Sequence, residues 1–242
     1  MAKNEPKLIM GIDEAGRGAL IGPLVVAGVV ISKEDESKLK RHGVKDSKML
    51  KPKKREELAE VIEKVAKSVI VLRVQPCKID TLRSEGINLD RIEAIKMAEI
   101  IGMGEAEKIY VDSLTHNPKK FQNVLLEYLQ NKELNLVVEN YADETYTVVS
   151  AASIIAKVER DRAVQEIKDK VNFDFGVGYP HDERTIQFVE KLIRENRGKE
   201  LPPFIRQSWV TIQILKENSL QRKLKEFLGL KLKEEEKIDY ED

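Results

Sequence analysis

Cysteine and histidine are scarce in this chain of 242 residues, and their scarcity narrows its chemistry. Cys77 is the only cysteine, so no intramolecular disulfide can form and a cysteine-ligated metal site is not expected. The three histidines, His42, His116 and His181, are scattered and lack close zinc-ligand spacing. So little cysteine fits a reducing compartment, and we predict a cytoplasmic location.

Long apolar runs are also missing. No run is long enough to span a bilayer, and the N-terminal residues lack the apolar centre of a secretory signal. Apolar residues still make up 41% of the chain, so a sizeable core is possible. The length fits one large domain, or one domain with an appendage.

The chain has no net charge, because 42 basic residues balance 42 acidic ones, but the charges are unevenly distributed. Residues 38–55 hold nine basic residues against one acid, and residues 234–242 hold six acids against one base. The basic stretch offers a local surface for a polyanion, although such runs are more often a solvated helix face. Within it, Lys48 of Asp46-Ser47-Lys48 either binds a phosphate or belongs to a polar turn.

The spacing of apolar residues predicts an α/β fold. Short segments rich in Val, Ile and Leu predict strands near 7–13, 22–32, 68–75, 107–112 and 134–139. Amphipathic segments predict helices over 52–66, 88–102, 118–130, 146–170, 182–196 and 207–228. The early strands follow each other closely and should pair antiparallel, whereas the later ones alternate with helices and should be parallel. We expect a central mixed sheet flanked by helices.

Only helices are predicted after about residue 180. We therefore expect a main α/β domain over residues 1–180 and a helical C-terminal region over residues 181–230. The acidic tail, residues 231–242, is expected to be disordered.

Four acidic residues lie where a strand ends or a helix begins: Asp13, Glu14, Asp112 and Asp143. Such positions converge at one edge of an open α/β sheet, where carboxylates can hold Mg²⁺ or Mn²⁺. Two such ions would activate a water and stabilise the leaving oxygen of a phosphodiester. Taken alone, Asp112 is equally an ordinary turn residue, and Asp143 favours a helix start. Strand alternation points Asp13 and Glu14 to opposite faces, so both can serve one site only if the strand ends or twists there.

Two glycine-containing segments are candidates for substrate contact. Gly16, Arg17 and Gly18 provide a backbone that can approach a sugar or phosphate closely, although a plain hairpin turn also explains them. Tyr179 lies in a loop with glycines at positions 176 and 178. It is placed either to stack on a nucleotide or to pack in the core or a hinge.

The predicted helix over residues 146–170 carries a polar stripe. Ser150, Ser153, Lys157 and Asp161 fall on one helix face. This stripe either points into the site or forms an ordinary solvated face.

Taken together, these segments resemble type 2 ribonuclease H, in particular its archaeal single-chain form. The matching motifs occur in the family's order and cover residues 8 to about 212. They are Gly11–Gly18, Asp46–Lys48, Tyr110–Asp112, Ala142–Asp143, Val149–Lys157, Gly176–Pro180 and Phe204–Trp209. The chain departs from the family at Ala19, where proline is usual.

The resemblance implies a ribonuclease H-like fold whose helical C-terminal region assists substrate binding. It also implies cleavage of the RNA strand in RNA–DNA hybrids, and cleavage 5′ of single ribonucleotides in duplex DNA that leaves a 3′-hydroxyl. The implied metal-binding and catalytic acids are Asp13, Glu14, Asp112 and Asp143. The implied readers of the ribose 2′-OH are Gly16, Arg17 and Gly18, and Tyr179 would pack on the following deoxyribose. Lys48, Ser150, Ser153 and Lys157 complete the predicted substrate-binding set.

The end of the last predicted helix resembles the motif that docks onto the sliding clamp of replication. Gln221, Leu224 and Phe227 match this motif, but Leu228 stands where a second aromatic residue is usual. The alternative is the end of an amphipathic helix. The chain is expected to be a monomer.

Two other functions remain open at this point. Another carboxylate–metal nuclease of the same sheet type, such as a junction resolvase, would use a similar acid cluster but would need no 2′-OH reader. A non-catalytic hybrid-binding or clamp-tethered module would bind hybrids without cutting them.

Overall fold

The computed structural model describes residues 7–45, 50–131, 133–196 and 199–227. The strands are β1 (Leu8–Ala15), β2 (Leu24–Ser32), β3 (Ser68–Val74), β4 (Lys108–Asp112) and β5 (Leu136–Glu139). The helices are α1 (Glu36–Arg41), α2 (Pro52–Val65), α3 (Pro76–Ser84), α4 (Leu89–Met103), α5 (Pro118–Tyr128), α6 (Ala142–Thr145), α7 (Thr147–Val171), α8 (Glu183–Asn196) and α9 (Val210–Phe227). No helix in these ranges is long and apolar enough to cross a membrane.

The five strands form one mixed sheet in the order β3-β2-β1-β4-β5. β2 pairs antiparallel with β1 and β3, whereas β4 lies parallel to both β1 and β5. The predicted mixed sheet is therefore confirmed. Its parallel half follows from the helices between β3, β4 and β5, since a parallel neighbour can be reached only by a crossover connection.

Three helices were not predicted from the sequence. α1 has six residues, of which four are charged, so it carries almost no apolar periodicity. α6 has only four residues, and α3 begins at Pro76, which is a favoured first helical position that the interpretation overlooked. These elements are held by their surroundings more than by their own pattern.

Contacts divide the described chain into two compact units. The first comprises residues within Met1–Arg17, Leu24–Val74 and Gly86–Arg162, and the second those within Gly18–Pro23, Gln75–Glu85 and Ala163–Asp242. The predicted division at residue 180 stays a prediction, and the tail over residues 231–242 lies outside the described residues.

The first unit covers both faces of its sheet with helices. All nine residues of β2 are buried, which explains its continuous apolar sequence. One face packs against α2 and α7 in a cluster that includes Val29 and Val148. The opposite face meets α4, where the Cβ position of Gly28 is directed at Ile100.

The second unit has its own core, built from α8, α9 and the segment over residues 18–23. Ile21 forms an isolated antiparallel bridge with Ile205. Arg206 is fully buried, and its Nε donates to the Gly22 carbonyl at 3.2 Å. The guanidinium groups of Arg83 and Arg206 lie 5.1 and 4.8 Å from the ring centroid of Trp209.

Helix α7 approaches β1 most closely at Gly11. A Cβ at this position would overlap the backbone of Val148 and Val149. Only glycine therefore permits this packing distance between the helix and the strand.

Replacing Gly11 should be costly, whereas replacing a glycine in open surroundings should not. We expect Gly11→Ala to lower the free energy of unfolding by about 3 kcal/mol, because its methyl group meets rigid backbone. Gly102→Ala in α4 is the matched control, since no described atom lies within 4 Å of its Cβ position. The control should be neutral or stabilise by up to about 1 kcal/mol. Urea unfolding measures both, and equal stability of the two variants would contradict the close-packing argument.

Candidate active site

The acidic residues are collected by the parallel half of the sheet. β1, β4 and β5 are adjacent and parallel, so their carboxyl ends lie at one edge. The pairing of Ile12 with Val111 is followed in the two strands by Asp13 and Asp112. Shortly after β5, the backbone N–H of Ala142 donates a hydrogen bond to Asp112 Oδ1 at 2.7 Å. Asp143, which follows Ala142, is buried.

Asp13 and Glu14 meet although the strand does not end between them. Both pair regularly with β2, opposite Ala27 and Val26, and β1 continues to Ala15. The side chain of Asp13 bonds the backbone of the following residue: its Oδ1 accepts from the Glu14 N–H at 2.7 Å. The two carboxylates therefore lie at the end of β1, because the strand stops one residue after Glu14, at Ala15.

Burial and mutual repulsion disfavour the charged forms of these two acids. The pKa of Asp13 is raised well above its usual range, first by burial and then by the charge of Glu14, against a hydrogen bond from Ser153. The pKa of Glu14 is raised to about 7, first by burial and then by Glu93, with Asp112 adding to the effect. These carboxylates thus lie close enough to raise the free energy of one another's ionised forms.

A hard divalent cation fits this set of donors. Carboxylate oxygens are the ligands that Mg²⁺ and Mn²⁺ prefer, and a cation would offset the repulsion between them. Glu14 Oε2 is enclosed and has no hydrogen-bond partner among the residues that the structure describes. In those same residues, however, no three Asp, Glu, His or Cys side chains already form a metal-binding group. The chemistry and the charge fit a metal, whereas the ligand cage is not preassembled.

Arg17 is held beside these acids by two carboxylates on α4. Its guanidinium pairs with Asp90 at 2.6 Å and with Glu93, whose side chain is fully buried. The preceding Gly16 has φ 91°, a left-handed conformation that favours glycine. β1 and β2 pair antiparallel, and the connection between them spans residues 16–23, which is longer than a tight hairpin turn.

Glu93 is the residue of this site that the sequence interpretation missed. It binds Arg17, and its charge is a main cause of the raised pKa of Glu14. The available signal was a charged residue between Ile92 and Ala94, both of which are fully buried. A glutamate on the buried side of a helix is rarely tolerated unless it is paired.

The polar stripe of α7 is divided between the interior and the surface. Ser150 and Ser153 are buried, so they do not belong to a solvated face. Ser153 bonds Asp13, and its Oγ accepts from Lys157 Nζ at 2.9 Å. Asp161 is exposed and pairs with Arg55 at 2.7 Å. Within the stripe, Ser153 therefore orients Asp13, and Lys157 holds Ser153.

Other predicted residues belong to the second unit or lie outside the described residues. Tyr179 belongs to the second unit, where it is half-buried and stacks on His181 with ring centroids 5.4 Å apart. Gln221 and Leu224 are exposed on α9. Lys48 and Leu228 lie outside the described residues, as does the side chain of Phe227.

Comparison with known proteins places this geometry in a family. The family model described as Ribonuclease HII matches residues 10–212. Ribonuclease HII of Methanothermobacter thermautotrophicus is 42% identical over 207 residues, which are 85% of this chain and 97% of the relative. Among solved structures, ribonuclease H2 of Pyrococcus horikoshii OT3 has a TM-score of 0.80 at 37% identity and covers 88% of this chain and 99% of its own.

A second solved structure is the PCNA:RNase HII complex from Archaeoglobus fulgidus. It has a TM-score of 0.77 at 43% identity and covers 86% of this chain and 96% of its own. The family model, the relatives and the shared fold agree along nearly the whole matched length, and the acids lie at the edge of the sheet where the sequence predicted them. This chain belongs to the ribonuclease HII family.

Proposed function

We infer that this chain is an endoribonuclease that hydrolyses the RNA strand of RNA–DNA hybrids. The observation that carries this function is the cluster of Asp13, Glu14 and Asp112 at one sheet edge in a chain of this family. A resolvase-like nuclease would not require the fixed arginine beside the cluster. A non-catalytic module would have no need to bury carboxylates that repel one another.

The four acids Asp13, Glu14, Asp112 and Asp143 are the residues that would hold Mg²⁺ or Mn²⁺. Such an ion supplies an activated water and stabilises the departing oxygen of the phosphodiester. The chain itself orients the acids: Ser153 bonds Asp13, and the Ala142 N–H fixes Asp112. Burial at this edge limits the access of bulk water and strengthens every charge interaction there.

The segment of Gly16, Arg17 and Gly18 is assigned as the reader of the ribose 2′-OH. Two observations support this assignment. No described atom lies within 4 Å of the Cβ position of Gly18, so a sugar can approach the backbone there. Arg17 is anchored by Asp90 and Glu93, which keeps the turn beside the acids. With Tyr179 packed on the next deoxyribose, cleavage would fall 5′ of a single embedded ribonucleotide and leave a 3′-hydroxyl.

The remaining predicted contacts have different degrees of structural support. Lys157 bonds buried Ser153, which bonds Asp13, so these two residues are better placed to support the acids than to touch the duplex, whereas Ser150 is buried and stays assigned by its motif alone. Lys48 remains assigned to a phosphate contact by its motif alone. The monomeric state and the cytoplasmic location likewise stay predictions.

The C-terminal helix is assigned to a sliding clamp. One relative was solved as a complex of PCNA with its RNase HII. On α9 the buried residues Ile212 and Leu215 are followed by Leu220 and Leu224, which are 65% and 59% exposed. Exposed leucines at the end of a helix that contributes only Ile212 and Leu215 to the core suit a docking motif that continues through Phe227 and Leu228.

Removing one acid charge should stop cleavage while sparing binding. We expect Asp13→Asn to lower kcat on a duplex with one embedded ribonucleotide by on the order of 10³-fold, because the metal would lose a ligand. Hybrid affinity should change little. Asp169→Asn, an exposed acid on α7, is the matched control and should keep wild-type turnover. Cleavage of an all-DNA duplex by the wild type would instead favour a resolvase-like nuclease, and hybrid binding with no cleavage in Mg²⁺ or Mn²⁺ would favour a binding module.

Arg17 should contribute to both stability and substrate choice, and the two contributions can be separated. Arg17→Met removes one cationic partner of Glu93 and should cost about 2 kcal/mol of stability after allowance for the exposed part of the pair. The double variant Arg17→Met/Glu93→Gln should regain part of that stability but none of the ribonucleotide cleavage. Thermal unfolding and cleavage kinetics are measured on the same samples. Recovery of activity together with stability would assign Arg17 a structural role only.

Deleting residues 219–242 should weaken clamp association and leave catalysis in solution intact, because Ile212 and Leu215 keep α9 attached to its core. Deletion of residues 229–242 alone is the matched control, since it retains the motif. Calorimetric titration with the sliding clamp measures both truncations. Equal affinity of the two truncated chains would rule out the docking motif.

A further inference from the structure

The side chain of Thr185 anchors the loop between α7 and α8. This threonine lies in the first part of α8 and is fully buried. In this loop, Gly176 and Gly178 have φ 82° and 83°, so the loop takes a backbone path that other residues rarely adopt. The side chain of Tyr179 is carried at the end of this path.

The hydroxyl of Thr185 makes two hydrogen bonds to the loop backbone. It accepts from the Gly178 N–H at 3.0 Å and donates to the Phe175 carbonyl at 2.8 Å. Both bonds are buried, so each would be costly to leave unsatisfied. One side chain thus fixes the loop at two positions, one of which is adjacent to Tyr179.

Gly178 is also the attachment point of a second segment. Its carbonyl accepts from the backbone N–H groups of Leu20 and Ile21 at 2.8 and 3.1 Å. These two residues follow Gly18 almost directly. On their other side, the Leu20 carbonyl accepts the Arg206 N–H at 2.9 Å. The backbone after the glycine–arginine turn and the loop of Tyr179 therefore share one anchor within the second unit.

We propose that Thr185 is a positioning residue that sets the spacing between two substrate readers within the second unit, Gly18 and Tyr179. The role rests on the proposed function, because it matters only if these two elements read adjacent nucleotides. Thr185 is fully buried, and both bonds of its hydroxyl go to its own loop. It acts through Gly178, whose N–H it holds and whose carbonyl holds the segment that begins at Leu20.

This coupling predicts an effect on one class of substrate. A duplex with a single ribonucleotide offers one productive register, in which the 2′-OH and the next deoxyribose must both be recognised. A continuous hybrid offers many registers, and most of them present no such junction. A looser Tyr179 loop should therefore penalise the single-ribonucleotide substrate selectively, since small misplacements of binding groups are costly to rate.

Thr185→Val removes the hydroxyl at nearly constant volume and provides the test. We expect kcat/KM on a single-ribonucleotide duplex to fall about tenfold more than on a continuous hybrid. Thr185→Ser keeps the hydroxyl and should restore the wild-type ratio.

Val189→Ala in the core of α8 is the control for general destabilisation and should leave the ratio unchanged. If Thr185→Val does not fold, Thr185→Ala replaces it with the same expectation. An unchanged ratio in the folded variant overturns the proposal, as does a ratio that also changes in Val189→Ala.

Hydrogen exchange in the full chain separates this proposal from the proposed function. Thr185→Val should accelerate exchange of the Gly178, Leu20 and Ile21 amides about tenfold or more, whether or not either substrate is cleaved. Unchanged exchange overturns the anchor itself. Tyr179→Ala is assayed on the same two substrates. Equal losses on both substrates, together with accelerated exchange in Thr185→Val, would refute the junction role of Tyr179 and leave the anchor established.

Discussion

The close approach of α7 to β1 at Gly11 places α7 beside the acidic end of the strand. Because no side chain separates strand from helix there, the backbone at Val148 lies against the strand, and the next turns of α7 pass beside its acidic end. Ser153 consequently reaches Asp13, and Lys157 reaches Ser153. The orientation of Asp13 thus depends on a packing distance fixed two residues earlier in the same strand.

The site buries carboxylates whose charged forms are disfavoured, and neighbouring polar groups partly offset that cost. Burial and repulsion disfavour ionised Asp13 and Glu14, while the Ser153 hydroxyl and the charge of Arg17 favour them. Glu93 acts in both directions, because it holds Arg17 and also adds to the negative charge felt by Glu14. Such an excess of buried carboxylates suits a site that binds a cation, since Arg17 already pairs with Asp90 and Glu93.

The features that the sequence predicted are those encoded by local pattern. Short Val- and Ile-rich segments located all five strands, and the position of acids at strand ends predicted the sheet edge at which Asp13 and Asp112 lie. The features that it did not predict depend on contacts between distant segments. Glu93 binds a residue 76 positions away, and Thr185 bonds backbone groups of its loop, which no side-chain pattern reveals. The site's supporting residues are therefore harder to predict than its acids, although the fold needs both.

The arrangement around Trp209 has a practical consequence for following the folding of this protein. Trp209 is the only tryptophan of the chain, and two guanidinium groups of the second unit lie close to its ring. Its emission is therefore a local probe of that unit, whereas circular dichroism averages over every helix and strand. Divergence between the two signals during denaturation would identify a state in which one core has opened while the other persists.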